Sequence, residues 1–502
     1  MTTPTTLTAP GTAATPAPVP PAASAAAPAQ GALDPRTRLL LEGPIVGTLL
    51  RLAWPNVLVM VAQACAGLIE TWFIGRLGTD ALAGMALAFP AVMLMQMVSG
   101  GAIGGGIASA IARALGARRR ADADALVLHA VVIALGFGLL FTLAMALGGR
   151  WLYAHMGGSG ASLDAALTYS HWVFAGAVLV WLFNSLAAVI RGTGNMALPA
   201  TVTCVGVVAL LPLSPLLIFG WGPLPGLGIA GGALALLLYY AGGCVVLAAY
   251  LWRGRSPLRP TWAGTVLRWA LFKDILRVGL LAAVSAISTN LAIGVATGLV
   301  GSFGPAAIAG YGTAARLEYL LVPLVFGLGA PLVSMVGTCM GAGQRGRALR
   351  VAWVGAATAA VLTEAIGLAA AIWPRQWLGL FGSDPAMLEA GAQYLRVVGP
   401  TYGFFGLGLA LYFASQGAGR LRWPVTGNLV RLAVAAGGGA WVLHAGGGLQ
   451  AVFAVQGVAL VLYGLCIAAS IAGGAWFGPV GRPRSTAGLL ERVEAAGLVA
   501  TK

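Results

Sequence analysis

Arg191-Gly-Thr-Gly-Asn195, followed by Pro199, returns as Gln416-Gly-Ala-Gly-Arg420, followed by Pro424, with a displacement of 225 residues. Asp164 and Tyr169 recur as Glu389 and Tyr394 at the same displacement. Nearer the start of each half, Leu50-Arg51 matches Leu276-Arg277, and Gly75, Gly78, Ala83 and Gly84 match Gly301, Gly304, Ala309 and Gly310, now displaced by 226. One net insertion over so long a stretch marks an internal duplication, and the architecture must be read from the duplicated unit.

Composition says what that unit is. Of 502 residues 59% are hydrophobic and 9% charged, against roughly 25% charged in soluble domains. Apolar stretches recur that are about 20 residues or longer, each enough to cross a hydrocarbon core of roughly 30 Å as a helix. Six fall in residues 44–253 and six in 274–478. The expected fold is therefore an all-α integral membrane protein with twelve transmembrane helices in two six-helix bundles. Six is even, so both bundles begin on the same side, and the pseudo-two-fold axis relating them runs along the membrane normal. Transporters are often built this way, with a mid-membrane cavity between the halves.

The formal charge of +15 does not point to nucleic acid, because the basic residues lie between apolar spans instead of on a soluble face. With the N-terminus in the cytoplasm, all of the 29 Lys and Arg fall on the cytoplasmic side except Arg76, Arg150, Arg316, Arg375, Arg396 and Arg431. That is the positive-inside pattern, and it places both termini in the cytoplasm of a multi-pass inner-membrane protein. Residues 254–273 form a basic cytoplasmic linker. Residues 1–43, rich in Ala, Pro and Thr, read as a disordered tail, and 479–502 as a second cytoplasmic tail. The five cysteines are scattered over spans with no metal spacing. Gly226-Leu-Gly228-Ile-Ala-Gly231 fits a dinucleotide pattern but lies between two spans with no strand before it. Neither an enzyme nor a bound metal or cofactor is expected.

Several motifs together resemble the multidrug and toxic compound extrusion (MATE) family. They are Leu52-Ala-Trp-Pro55, Glu70-Thr-Trp-Phe-Ile-Gly-Arg-Leu-Gly78, Arg191-Gly-Thr-Gly-Asn195, Arg316-Leu-Glu318 and Val336-Gly-Thr-Cys-Met-Gly-Ala-Gly343. The resemblance covers roughly residues 44–478. It implies an antiporter, expected to act as a monomer, that exports small organic and often cationic compounds against protons or sodium ions by alternating access.

Ionisable groups inside a bilayer are costly and therefore informative. Glu70 stands near the outer end of the first span. Desolvation disfavours a charged carboxylate and nearby cations favour it, so such a group can change protonation as its cavity changes access. The resemblance places cation coupling at this position, usually an Asp. Glu70 maps onto Val295 or Ala296 in the second half, so the coupling site is expected in the N-lobe alone. Pro55, 15 residues earlier, frees a carbonyl at which the helix can hinge, or it makes a static kink. In the family a bend of this helix has been proposed to follow protonation.

The family's fifth helix often supplies an Asn and an Asp-Pro to a cation site. Here the corresponding stretch reads Leu210-Leu-Pro-Leu-Ser214-Pro215. A hard cation wants about six oxygen ligands, and Glu70 with Gln63, Asn184 and Ser214 is a thin set. Protons are therefore favoured over sodium. Arg316, Glu318 and Glu364 form an expected charged cluster in the second half; Arg316 and Glu318, two residues apart on a helix, do not face each other, so each is expected to pair across helices in structural or gating ion pairs, with Glu318 the better candidate to bind a cationic drug. Two other functions stay in view, a flippase of lipid-linked or amphiphilic substrates from the same superfamily and a non-transporting scaffold. The first typically needs further spans and a strongly cationic cavity, and the second has no need of a two-lobed repeat.

Overall fold

The computed structural model describes residues 33–221, 224–263 and 266–477. Residues 1–32 of the expected N-terminal tail and all of 479–502 lie outside the described residues.

In a bilayer every backbone N–H and C=O must find an internal partner, and the apolar spans accordingly fold as helices. The N-lobe contains α1 (Ile45–Gly75), α2 (Thr79–Gly116), α3 (Arg120–His155), α4 (Gly160–Ala175 and Ala177–Gly192, bent by 48° between them), α5 (Ala197–Phe219) and α6 (Ile229–Trp252). The C-lobe contains α7 (Trp269–Gly301), α8 (Pro305–Gly341), α9 (Arg345–Ile372), α10 (Pro385–Ala418), α11 (Arg422–Ala433 and Gly439–His444) and α12 (Leu449–Ala472). Ten of these are long and apolar enough to cross a bilayer as single helices, and bent α4 makes an eleventh. The twelfth, α11, carries Arg422 and Arg431 and is interrupted by a π-helical turn at Val434–Gly438. A second π-helical turn, Met97–Ile103, lies within α2.

The packing repeats as the sequence does. In the N-lobe α1 packs on α5, α3 on α4 and α5 on α6, and in the C-lobe α7 packs on α11, α9 on α10 and α11 on α12. Between the lobes α1 meets α8 while α7 meets α2, and α2 meets α8 across the axis itself. Exchanging the lobes leaves this pattern unchanged, which is the pseudo-two-fold relation.

One expectation is corrected. The tail is ordered near its end, because residues 35–42 form a helix (Pro35–Glu42) capped by the Asp34 carboxylate. Its Leu40 and Leu41 are buried, and burying two leucines stabilises by several kcal/mol, about 1.5–3 each. The helix bridges the lobes. Arg36 donates to the Tyr250 hydroxyl of α6 at 3.1 Å, and the Leu40 carbonyl accepts from Arg347 of α9 at 3.3 Å.

The lobes are sealed at this same, linker-bearing side. Ser109 of α2 donates to the carbonyls of Gln416 and Gly417, Ser334 of α8 donates to the carbonyl of Arg191, and Arg113 pairs with Asp274 at 2.8 Å. Glycines permit the contact. A Cβ on Gly106 would meet the Ile275 carbonyl, and one on Gly341 the Arg113 carbonyl. The linker halves of α2 and α8 are buried almost throughout, whereas their other halves alternate between buried and exposed.

The linker is strapped to α3. The Arg268 backbone N–H donates to Nε2 of buried His129 at 2.9 Å, the Arg259 N–H donates to Asp124 at 2.7 Å, and Arg268 pairs with Asp122.

Candidate functional site

Glu70 is 7% exposed although it lies within a membrane span. Helix α1 packs on α5 and α6, and Oε1 of Glu70 lies near Gly232 of α6, as do Ile74 of α1 and Ile218 of α5. A Cβ on Gly232 would lie 3.4 Å from Oε1 of Glu70, an ordinary contact, so only a side chain larger than alanine would press on the carboxylate. That oxygen is buried and finds no hydrogen-bond partner among the described residues, and neither does the Ser214 hydroxyl one turn before Ile218. Tyr169 of α4 and Tyr240 of α6 stand in the neighbourhood of Glu70.

A polar chain leads inward from Tyr240. Gln96 of α2 bonds to the Tyr240 hydroxyl, Asn184 of α4 donates to Oε1 of Gln96 at 3.1 Å, and Asn184 also donates to the Ser99 hydroxyl at 2.8 Å. The π-helical turn that holds Ser99 packs on α4. Of the expected N-lobe residues, the structure brings Asn184 into this network and sets Ser214 on the helix facing Glu70. Gln63 is different, because it lies on an exposed part of α1 and joins none of these bonds. Gln96 and Tyr240 were missed, although a Gln inside an apolar span is a signal. Pro55 does not interrupt α1. The Asn56 side chain bonds to the Leu52 carbonyl at 3.1 Å in the same turn, and the next residue, Val57, abuts Gly327 of α8.

Of the expected C-lobe cluster, Arg316, Glu318 and Glu364 each meet a different partner. Glu318 pairs with Arg431 of α11 at 2.8 Å and accepts a hydrogen bond from Tyr394 of α10 at 3.3 Å. Arg316, two residues away, points elsewhere and lies over the Phe381 ring at 5.2 Å, as a 200° turn of the helix between i and i+2 demands. Glu364 accepts the Gly403 N–H at 2.6 Å, beside the break that Pro400 makes in α10.

The two lobes thus hold equivalent positions with different contents. Tyr169 and Tyr394 are repeat partners, one beside Glu70 and the other on Glu318. Ala296, the counterpart of Glu70, lines the C-lobe cavity, so α7 supplies no acid there and α8 supplies one instead.

The MatE family model matches residues 55–216 and 282–441, one segment in each lobe. The chain belongs to the MATE family. It is a multi-pass membrane transporter of small molecules, and MATE proteins are not enzymes. Among curated MATE relatives, it is 32% identical to the probable multidrug resistance protein NorM of Deinococcus radiodurans, over 82% of this chain and 92% of that one. It is 28% identical to the FAD transporter of Shewanella oneidensis, over 75% and 82%. Two solved structures share the fold at 23% identity. A MOP superfamily transporter from Pyrococcus furiosus superposes with a TM-score of 0.80 over 88% of this chain and 99% of its own, and an outward-facing MATE family transporter with 0.77 over 86% and 96%.

Proposed function

We propose that this MATE protein is a proton-coupled antiporter that exports organic amphiphiles, working as a monomer in the inner membrane with both termini cytoplasmic. The observation that carries the reading is Glu70, a carboxylate buried within the N-lobe whose Oε1 has no hydrogen-bond partner among the described residues. An uncompensated charge is expensive there, and a proton removes that expense. Opening the lobes to one side and then the other would let Glu70 load and release that proton, while Tyr240, Gln96 and Asn184 link its pocket to the π-helical turn of α2.

Sodium is the weaker reading. Oε1 of Glu70 meets no hydrogen-bonding group among the described residues, whereas a sodium ion would need several oxygen ligands beside it. The flippase reading also loses ground, because Arg431 is neutralised by Glu318 in the resting cavity. For the substrate, the names of the two curated relatives span multidrug resistance and a flavin nucleotide, which supports a broad amphiphilic class over a single compound.

The test uses inverted membrane vesicles with proton and sodium gradients imposed separately. A proton gradient alone should drive uptake of a fluorescent organic cation, substrate should elicit proton release, and Glu70→Gln should abolish both. Transport driven only by sodium, or wild-type antiport in Glu70→Gln, overturns the proposal.

A further inference from the structure

Helix α7 carries an exposed stripe that runs from the linker into the bilayer. Trp269, Lys273 and Arg277 open it, and Leu280, Val284 and Ile287 continue it. At about 100° per residue these positions fall within an arc of roughly 80°, and every one of them is exposed. Trp269 leaves 72% of its surface free, Leu280 49%, Val284 45% and Ile287 56%. The lobes are sealed on the linker side, where Asp274 of α7 pairs with Arg113 of α2, so a face of α7 left open there looks out at lipid. From Arg277 to Ile287 the helix rises about 15 Å, the depth of one leaflet in a hydrocarbon core of roughly 30 Å. The stripe thus sets two cations at headgroup level above one leaflet's length of hydrocarbon. Trp269 stands beside them, as interfacial tryptophans do.

Neither Lys273 nor Arg277 is matched by a carboxylate among the described residues. Asp274, the neighbour of Lys273, is committed to Arg113, and Asp122 and Asp124 of α3 are held by Arg268 and by the Arg259 backbone N–H. That last bond uses the main chain and leaves the Arg259 side chain exposed, as are those of Arg253 and Arg255. The linker is kept at the level of the span ends, because Trp262 stacks on Trp252, the last residue of α6, with ring centroids 6.3 Å apart and planes 12° from parallel. The duplicated helix differs. In α1 the apolar part recurs as exposed Trp54, Leu58 and Val61 below Arg51, but Gly43 and Gly47 stand where α7 has Trp269 and Lys273. Charge, and not exposed hydrocarbon, sets α7 apart.

We propose that this stripe of α7 binds an anionic phospholipid of the linker-side leaflet, with the phosphate held by Lys273 and Arg277 and an acyl chain laid along Leu280, Val284 and Ile287. A free anion would use the cations and leave the hydrocarbon bare, and a zwitterionic lipid would set its own cation against them. The linker arginines add attraction for the same headgroups. The site stands apart from Glu70, so its failure leaves the proton-antiport reading untouched.

The test is native mass spectrometry of the full chain in detergent, titrated with phosphatidylglycerol or with phosphatidylcholine of the same acyl chains. The wild type should favour phosphatidylglycerol. Lys273→Gln/Arg277→Gln should weaken phosphatidylglycerol binding roughly thirtyfold, as removal of two cations beside an anionic headgroup implies, and leave phosphatidylcholine unchanged. Lys273→Arg/Arg277→Lys should keep the preference, and Arg51→Gln on α1 should leave both lipids unaffected. Glycerophosphoglycerol, the headgroup without acyl chains, should fail to compete. Phosphatidylglycerol should also raise the melting temperature of the wild type more than that of Lys273→Gln/Arg277→Gln. Equal retention of the two lipids by the wild type, an undiminished preference in Lys273→Gln/Arg277→Gln, an equal loss in Arg51→Gln, or competition by glycerophosphoglycerol at the lipid's own concentration overturns the proposal.

Discussion

Ser109 donates its hydroxyl to the main-chain carbonyl of Gln416 at 2.6 Å, tying α2 of the N-lobe to α10 of the C-lobe. Ser334 makes the pseudo-symmetric bond to the carbonyl of Arg191 at 2.7 Å, so both copies of the repeated motif contribute a carbonyl to the seam. These bonds exist only while the linker side is shut. Ser109→Ala should weaken the shut state by about 1 kcal/mol, a factor of roughly five in the gating equilibrium. Spin labels on Arg120→Cys and Gln344→Cys should then show a larger long-distance population; an unchanged distribution would count against the seam as a gate.

The N-terminal helix belongs to the same closure. Leu40 is 2% exposed and packs near Gly194 while its carbonyl accepts from Arg347. Leu40→Asp should detach the helix and speed hydrogen exchange at the start of α9, with the Glu70 region unaffected. Equal protection in variant and wild type would show that the helix holds nothing.

Asn184 gives both of its characterised hydrogen bonds to α2. Asn184→Leu leaves Gln96 short of a donor and should cost about 1–3 kcal/mol. Tyr240→Phe should cost less, since it removes one hydroxyl and keeps the ring. Thermal unfolding of the two variants in one detergent compares them, and a larger loss for Tyr240→Phe would contradict the network described.

Gly232 bears on coupling more directly. Gly232→Ala places its Cβ at 3.4 Å from Oε1 of Glu70, an ordinary contact, and should leave antiport near normal. Gly232→Val adds methyl groups in the same direction, where overpacking typically costs 1–3 kcal/mol. Substrate-driven proton release should fall sharply in Gly232→Val while the protein still folds. Normal release from that variant would mean that the space beside the carboxylate is unimportant.

Much of this was legible in the residues. Hydrocarbon thickness sets the span length, so twelve apolar stretches predict twelve helices. A duplicated motif at a constant displacement predicts two lobes and the direction of their axis. Glu70 was legible because a carboxylate in a span needs a reason. Asn184 and Gln96 were each legible as a polar residue in a span, but the bond that joins them across 88 positions was not.

The charge pairings were not legible, for a physical reason. In a membrane helix the lipid-facing and core-facing sides are both apolar, so hydrophobic periodicity does not say where a side chain points. Helix spacing shows that Arg316 and Glu318 do not face each other, but it does not name the partner of either. The bundle turns Glu318 toward Arg431, 113 residues away. The sealed linker side was equally hidden, because it rests on backbone carbonyls that every residue has. Residues 35–42 read as tail because two leucines make no pattern until Gly194 and Arg347 are brought to meet them. The sequence by itself determined the spans, the repeat and the buried acid of the first helix; only the tertiary structure decided which charges pair, which side is shut and what the second pocket contains, since each depends on helix rotation and on contacts between distant segments.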